Sequence, residues 1–324
     1  MRAVRIHELT GPQALRVDEV PSPSAAAGQV LIDVRAAGVN FPDILITRGQ
    51  YQFKPATPFS PGGEVAGVVR AVGDGVTSVK VGDRVASTML YGGYAEQVVV
   101  PELAVVKLPD AVSFEVGAAT LLTYATTIHA LVDRAAVKAG ETLLVLGAAG
   151  GVGIAAVELG ALLGARVIAA ASSADKLAFC REHGASETID YSREDLKDRI
   201  KALTNGNGVD VVYDPVGGAL AEPCVRGMAW QGRYLVIGFA SGEIPKLPLN
   251  LVLLKGCQIV GVFWGSFAMR EPARNRAHAE QIFSWVAERK LNPAVDAALP
   301  FSEAGEALAR LERRQVKGKL VLVP

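Results

Sequence analysis

The chain has 324 residues, 50% of them hydrophobic and 20% charged, with 33 Lys plus Arg set against 33 Asp plus Glu. That length exceeds a comfortable single core and that composition excludes a largely disordered chain, so two globular domains are expected. A zero charge balance gives no reason to expect a nucleic acid or an anionic membrane as partner.

Three cysteines, Cys180, Cys224 and Cys257, are far apart and odd in number. This argues against a disulfide framework and fits a reducing, cytoplasmic setting. The N-terminal MRAVRIHELTGPQAL has no apolar core of signal-peptide length.

In chain order, the first ~120 residues read as short β-branched runs, QVLIDVRAAGV, EVAGVVRAVG, VGDRVAS and YAEQVVV, divided by turn signals such as SPGGE and GDG. That spacing predicts a small barrel-like β domain. The rhythm changes near Leu121. TLLVLGA, RVIAAAS, ETIDY, VDVVYDPVGG, RYLVIGFA and QIVGVFWGS alternate with helical segments such as GVGIAAVELGALLG, ADKLAFCREHG and REDLKDRIKALTNG. Strands alternating with helices predict a doubly wound parallel sheet, an α/β fold whose strands are apolar throughout because both faces are covered. AEQIFSWVAERK and SEAGEALARLER then have helical periodicity, the alanine-rich run before Pro300 reads as helix filler, and GKLVLVP is a last strand. It is most simply a return to the first domain. The expected division is 1–122 with 266–324, and 123–265.

The stretch from Leu146 is apolar enough to raise a membrane-crossing helix. Glu158 and Arg166 interrupt it, and GAAGG is a poor helix interior. Its place between a strand and a helix favours a dinucleotide loop instead. Gly150 and Gly153 match the second and third glycines of G-x-G-x-x-G, with Ala148 in the first place. The second glycine admits the pyrophosphate to the backbone of Gly150, Gly151, Val152 and Gly153, and the third lets the helix approach the strand. The helix N-terminus supplies N–H groups and partial positive charge. An NAD site wants an acid after the next strand, whereas RVIAAASSADK offers Ser172, Ser173 and Lys176. Hydroxyls and a lysine suit a 2′-phosphate, so NADPH is expected over NADH. Ser173 also reads as a helix cap.

No metal site is expected: none of the four histidines, His7, His129, His183 and His278, pairs with a Cys at ligand spacing. Nor is there a G-x-S-x-G elbow. His129, on an apolar helix, reads as a packing residue.

In sum of motifs, AAGVNFPDILITRGQY, PFSPGGEVAGVV, VGDRV, LTYATTIHAL, LGAAGGVG, DPVGG and GKLVLVP, in that order, resemble the zinc-independent quinone oxidoreductase and zeta-crystallin branch of the medium-chain dehydrogenase/reductases. Zinc-binding relatives carry a Cys near Asn40 and a His at Gly63. The resemblance implies a GroES-like substrate domain, a Rossmann domain, NADPH in the cleft, and a homodimer joined along the Rossmann sheet edge through QIVGVFWGS. It places Asn40 and Tyr51 on the nicotinamide side as catalytic residues and Thr127 near the nicotinamide or its phosphates. It sets Ser172, Lys176 and Tyr191 around the 2′-phosphate. Gly238, Phe239, Val262, Phe263 and Trp264 are expected to line the nicotinamide, and Lys319 or Arg314 to reach the cofactor from the other domain. Leu45 stands where some relatives have a Tyr, leaving Tyr51 as the obvious hydroxyl of its loop.

The expected activity is hydride transfer to a small-molecule acceptor, a quinone or another conjugated carbonyl, because nothing here polarises an unactivated one. Two alternatives stand beside it. One is an enoyl- or acryloyl-thioester or 2-alkenal reductase, for which the basic REPARNRAHAE offers an anion-binding hint. The other is a non-catalytic NADPH-binding or RNA-binding crystallin-like protein, although basic and aromatic residues are not interleaved as single-strand binding wants.

Overall fold

The computed structural model describes residues 1–324, and the chain divides into two compact units, Met1–Leu122 with Glu271–Pro324 and Thr123–Arg270. The second seam falls after Arg270 rather than after residue 265. The intervening helix stays with the second unit because Phe267 stacks on His129, ring centroids 3.9 Å apart.

The first unit opens with β1 (Arg2–Ile6) and β2 (Leu15–Glu19), an antiparallel pair. Next come β3 (Gln29–Gly38), helix α1 (Phe41–Thr47), β4 (Glu64–Val72), β5 (Arg84–Thr88), β6 (Gln97–Pro101) and β7 (Val105–Lys107). Helix α2 (Phe114–Ile128) carries the chain from one unit to the other.

The second unit then alternates strand and helix. Its elements are β8 (Thr142–Leu146), α3 (Gly151–Leu162), β9 (Arg166–Ala171), α4 (Ala174–Glu182), β10 (Glu187–Asp190), α5 (Leu196–Leu203), β11 (Val209–Asp214), α6 (Ala221–Gly227), β12 (Met228–Val236), α7 (Leu249–Lys255), β13 (Gln258–Gly261) and α8 (Trp264–Arg270). Returning to the first unit, the chain adds α9 (Pro272–Ala287), β14 (Val295–Pro300), α10 (Ala304–Glu312) and β15 (Lys319–Val323).

The first unit is built on a seven-stranded sheet in the order β14-β15-β3-β4-β5-β7, with β6 also paired to β3. β3 is its organiser, bonded antiparallel to β4, β6 and β15. Its alternate residues Val30, Ile32 and Val34 enter a core closed by Ala304, Ala307 and Leu308 of α10. β14 corrects the sequence reading of helix filler. Val295, Ala297 and Leu299 are half-buried between exposed residues, a period of two that alanine content concealed, and the run pairs parallel with β15.

The second unit holds a six-stranded sheet, β10-β9-β8-β11-β12-β13, with every pairing parallel. Counted within the unit this is the order 3-2-1-4-5-6 of a doubly wound sheet, and the direction of winding reverses between β8 and β11. Leu143 to Leu146 and Val167 to Ala170 are wholly buried, as strands covered on both faces require.

Candidate active site

At the reversal point the carboxyl ends of β8 and β11 diverge, which is where open α/β sheets bind their ligands. After β8 the chain turns at Gly147, in the left-handed region at φ 56°, and Gly150 N–H donates to its carbonyl at 3.0 Å. Gly150 is the N-cap of α3 and no side chain caps it. The first-turn N–H groups are therefore open to an anion, with no capping side chain to compete for them. A Cβ on Gly153 would lie 2.3 Å from the Gly147 carbonyl oxygen, so only glycine lets α3 come this close to the loop. A Cβ on Gly150 would meet nothing nearer than that same oxygen, at 3.4 Å. The backbone here is tight on the protein side and open on the other, and it fits a pyrophosphate.

Facing this loop across the reversal point, Asp214 ends β11. Its carboxylate accepts from Val216 N–H at 2.7 Å, Gly217 N–H at 2.9 Å and the Tyr234 hydroxyl. It fixes an Asx turn that Gly217 and Gly218, both left-handed, complete. The sequence reading quoted DPVGG without assigning Asp214 this work. The next loop folds back onto the turn: Gly238 N–H reaches Asp214 O, and Ala240 N–H reaches Pro215 O at 3.0 Å. Phe239 is 37% exposed there, and after β13 Val262 is buried, Trp264 half-buried and Phe263 61% exposed. Thus Gly238, Phe239 and Val262 to Trp264 all sit at the carboxyl edge that carries Gly150 to Gly153.

One strand further out, Tyr191 N–H donates to Ala171 O at 3.2 Å, which sets Tyr191 beside the end of β9 and the exposed Ser172. Ser173 accepts from Lys176 N–H, the capping role read from sequence, and Lys176 lies half-buried in the first turn of α4. Ser172, Lys176 and Tyr191 are brought together. Thr127 is not available in the way expected. Its buried hydroxyl donates to Thr123 O at 2.8 Å and meets the Tyr213 hydroxyl at 2.9 Å, so it ties α2 to β11.

The first unit contributes a buried polar cluster. Glu64, without solvent exposure, accepts from Leu122 N–H at 2.8 Å, Asn40 Nδ2 at 3.2 Å and Lys319 Nζ at 3.3 Å. Lys319 also donates to Val39 O at 2.8 Å and to Asn40 Oδ1. The three ammonium hydrogens of Lys319 have three acceptors inside this unit, which assigns the lysine to the cluster instead of to a ligand. Asn40 changes role for the same reason. Its amide hydrogens serve Gly38 O at 3.3 Å and Glu64, and 4% of the residue is exposed, so no hydrogen is left for a substrate oxygen. Arg314 is exposed in the left-handed turn after α10.

Asn40 also begins α1 through a capping box with Asp43, whose carboxylate takes Asn40 N–H and the Tyr94 hydroxyl, each at 2.8 Å. Tyr51, half-buried, rests on the apolar group Ile6, Ile46 and Phe59. Burial, with the nearby Asp43 carboxylate, raises its phenol above the ordinary value. No group of three His, Cys, Asp or Glu side chains is placed to hold a metal ion.

Residues 26–110 match the alcohol dehydrogenase GroES-like domain, and residues 151–280 the zinc-binding dehydrogenase family. A quinone oxidoreductase-like protein 2 homolog of Nematostella vectensis is 39% identical over 324 residues, spanning 99% of this chain and 88% of its own. The quinone oxidoreductase of Pseudomonas aeruginosa is 36% identical, with 97% of each chain covered. Among solved structures, Escherichia coli quinone oxidoreductase complexed with NADPH superposes with a TM-score of 0.93 at 29% identity, over 100% of both chains. A mycobacterial protein complexed with NADPH gives 0.93 at 34% identity, again over 100% of both.

Asp43 makes the first unit sensitive to pH. Desolvation raises its carboxyl from 3.8 to about 6 against the pull of Tyr94, Asn40 and Lys319, with Glu64 adding a smaller push upward. A folded value above the unfolded one means that the folded chain holds the extra proton, so this stability is present at low pH and is lost as pH rises from about 4 to 6. Urea unfolding of Asp43→Asn and the parent chain should show the variant gaining on the parent across that window. Parallel pH profiles for the two proteins would show that Asp43 titrates at its ordinary value.

Proposed function

The chain belongs to the medium-chain dehydrogenase/reductases, in their quinone oxidoreductase-like branch, and from that premise we propose that it is an NADPH-dependent, zinc-independent reductase of quinones or related conjugated carbonyls. The observation that carries the reading is the uncapped N-terminus of α3 at the reversal point of the parallel sheet, closed by Gly153 and faced by the Asp214 turn. Gly150 to Gly153 would hold the pyrophosphate, and Gly238, Phe239, Val262, Phe263 and Trp264 the nicotinamide end.

Bound NADPH supplies the hydride, and the chain's own residues bind, orient and place protons. Ser172, Lys176 and Tyr191 supply hydroxyls and a cation where an NAD site has a carboxylate, which favours the 2′-phosphate. Tyr51 donates a hydrogen bond to the acceptor oxygen as negative charge develops there. Its raised pKa keeps the phenol protonated and able to donate. Asn40 acts behind it, as the residue through which Lys319 and Glu64 position the start of α1. With no cluster of metal ligands and a buried glycine at Gly63, the acceptor must bring its own activation, as a quinone or an α,β-unsaturated carbonyl does.

The thioester alternative is not favoured by its basic segment. Arg274 pairs with Glu271 at 3.4 Å and Arg276 with Glu280 at 3.0 Å, so these charges form a balanced helix face. A cytoplasmic setting fits the three buried free thiols, and no helix is long and apolar enough to cross a membrane. A homodimer fits the open edge of β13 beside Trp230, Leu249, Leu253 and Leu254, each more than 70% exposed.

Three measurements test this reading. NADPH oxidation should proceed with 1,4-naphthoquinone faster than with acryloyl-CoA or simple ketones, and inertness towards every quinone and alkenal would end the reductase assignment. Lys176→Asp should lower the ratio of NADPH to NADH efficiency at least about tenfold, since a hydrogen bond to a charged group contributes roughly 1.5 to 3 kcal/mol. An unmoved ratio would relocate cofactor discrimination. Sedimentation equilibrium should give twice the chain mass, and Leu253→Glu should return it to the single chain.

A further inference from the structure

Two aromatic rings on the first unit are left open to solvent although they stack on each other. Phe53 is 41% exposed and Tyr91 is 40% exposed, and they stack with centroids 5.7 Å apart and planes 19° from parallel. Tyr91 also presents its ring to Phe59, edge to face, at 5.8 Å. The loop that carries Tyr91 is stitched by main-chain bonds to residues 60–62, in the same connection between α1 and β4 that carries Phe53: Gly92 N–H to Ser60 O at 2.8 Å, Gly93 N–H to Gly62 O at 2.9 Å and Tyr94 N–H to Pro61 O at 2.9 Å. Leu90, 55% exposed, continues the apolar surface.

A single exposed hydrophobe needs no explanation, but a stacked pair backed by the buried Phe59 ring presents a preformed π surface. Its position gives the surface a use. Phe53 follows Tyr51 by two residues, and Tyr51 packs against the apolar group of Ile6, Ile46 and Phe59, the last being the ring that Tyr91 touches. The exposed rings are thus backed by the same apolar group that supports Tyr51, whose hydroxyl is assigned above to the acceptor oxygen. We propose that Phe53 and Tyr91 form an acceptor platform that stacks on the fused or extended planar part of a conjugated carbonyl whose oxygen Tyr51 holds. Electron-poor quinone rings suit it, because the negative faces of Phe and Tyr attract a ring whose own face is depleted of electrons. The platform therefore selects fused-ring acceptors over single-ring or short-chain ones. The proposal takes its acceptor class from the reductase reading, but it is tested by binding alone.

The test is equilibrium dialysis of 1,4-naphthoquinone and 1,4-benzoquinone against the full chain without NADPH. The three thiols are buried, which protects them from quinone addition during dialysis. Phe53→Leu/Tyr91→Leu keeps apolar bulk and removes the rings, whereas Phe53→Tyr/Tyr91→Phe keeps both rings. The leucine pair should weaken naphthoquinone binding about tenfold, in the range of single aromatic stacking contacts, and benzoquinone binding by a smaller factor. The ring-preserving pair should restore parental binding. Equal losses for both quinones, no loss, or no naphthoquinone binding by the parent chain would overturn the platform. A leucine pair that binds normally but loses self-association would also overturn it, by showing the rings to be an interface between copies. NADPH oxidation by the parent chain is measured separately, so failure of the reductase reading is seen there and not in the dialysis.

Discussion

A carboxylate withdrawn completely from water must be met by donors, and in this chain Glu64 sets that requirement for the whole first unit. Its oxygens accept from Leu122 in α2, Asn40 at the head of α1 and Lys319 at the start of β15, three segments remote in sequence. Removing one partner of such a pair typically costs about 3–5 kcal/mol, because the other charge stays buried and unmatched. The arrangement makes the last strand a structural condition for the first helix. Lys319 holds Val39 O and Asn40 Oδ1 together with Glu64, so the entry into α1 is fixed from β15. Space is as constrained as charge. A Cβ on Gly38 would lie 2.1 Å from Ala118 O and 2.6 Å from Glu64 Oε2.

The second unit meets its own constraint by opposite means on the two sides of the reversal point. On the β8 side it is an absence of side chains: Gly147 turns, Gly150 leaves the helix end uncapped and Gly153 lets α3 close in. On the β11 side a side chain does the work, with the Asp214 carboxylate shaping the turn from within and Tyr234 bracing it. The glycine side leaves N–H groups for an anion, and the aspartate side consumes its own. That asymmetry suits α3 to anion binding and the loops after β11, β12 and β13 to apolar and aromatic contacts.

What the sequence made legible is what is local. The alternation of β13 with its neighbours, the glycine spacing and the SSADK stretch each announce themselves within a few residues, because turn chemistry and phosphate geometry act at short range. β14 was hidden because two alanines blurred a period of two. The intramolecular partners of Asn40, Lys319 and Thr127 were hidden for a different reason. Asn40 and Lys319 are separated by 279 positions, and Thr127 and Tyr213 by 86. Which polar side chain is saturated by another is a property of tertiary contact, and no motif states it. Glu64 and Asp214 both lay inside quoted motifs, GGE and DPVGG, and both carboxylates accept from main-chain N–H groups.

The saturation of Asn40 bears directly on the chemistry. Two side chains stood as candidates to stabilise charge on an acceptor oxygen, and one of them has no hydrogen to give. Tyr51 remains, and it is tuned by the same cluster that engages Asn40. Asp43 caps α1 and lies near enough to raise the Tyr51 phenol electrostatically, in addition to the effect of burial. A phenol so held is a weaker acid and stays a neutral donor, suited to meeting charge that develops on a quinone oxygen without carrying charge beforehand. On the proposed reading, the buried network would reach the reacting oxygen only through Tyr51. On that reading the energetic weight of Glu64 and Lys319 is spent on positioning, while the electronic demand would fall on the acceptor itself.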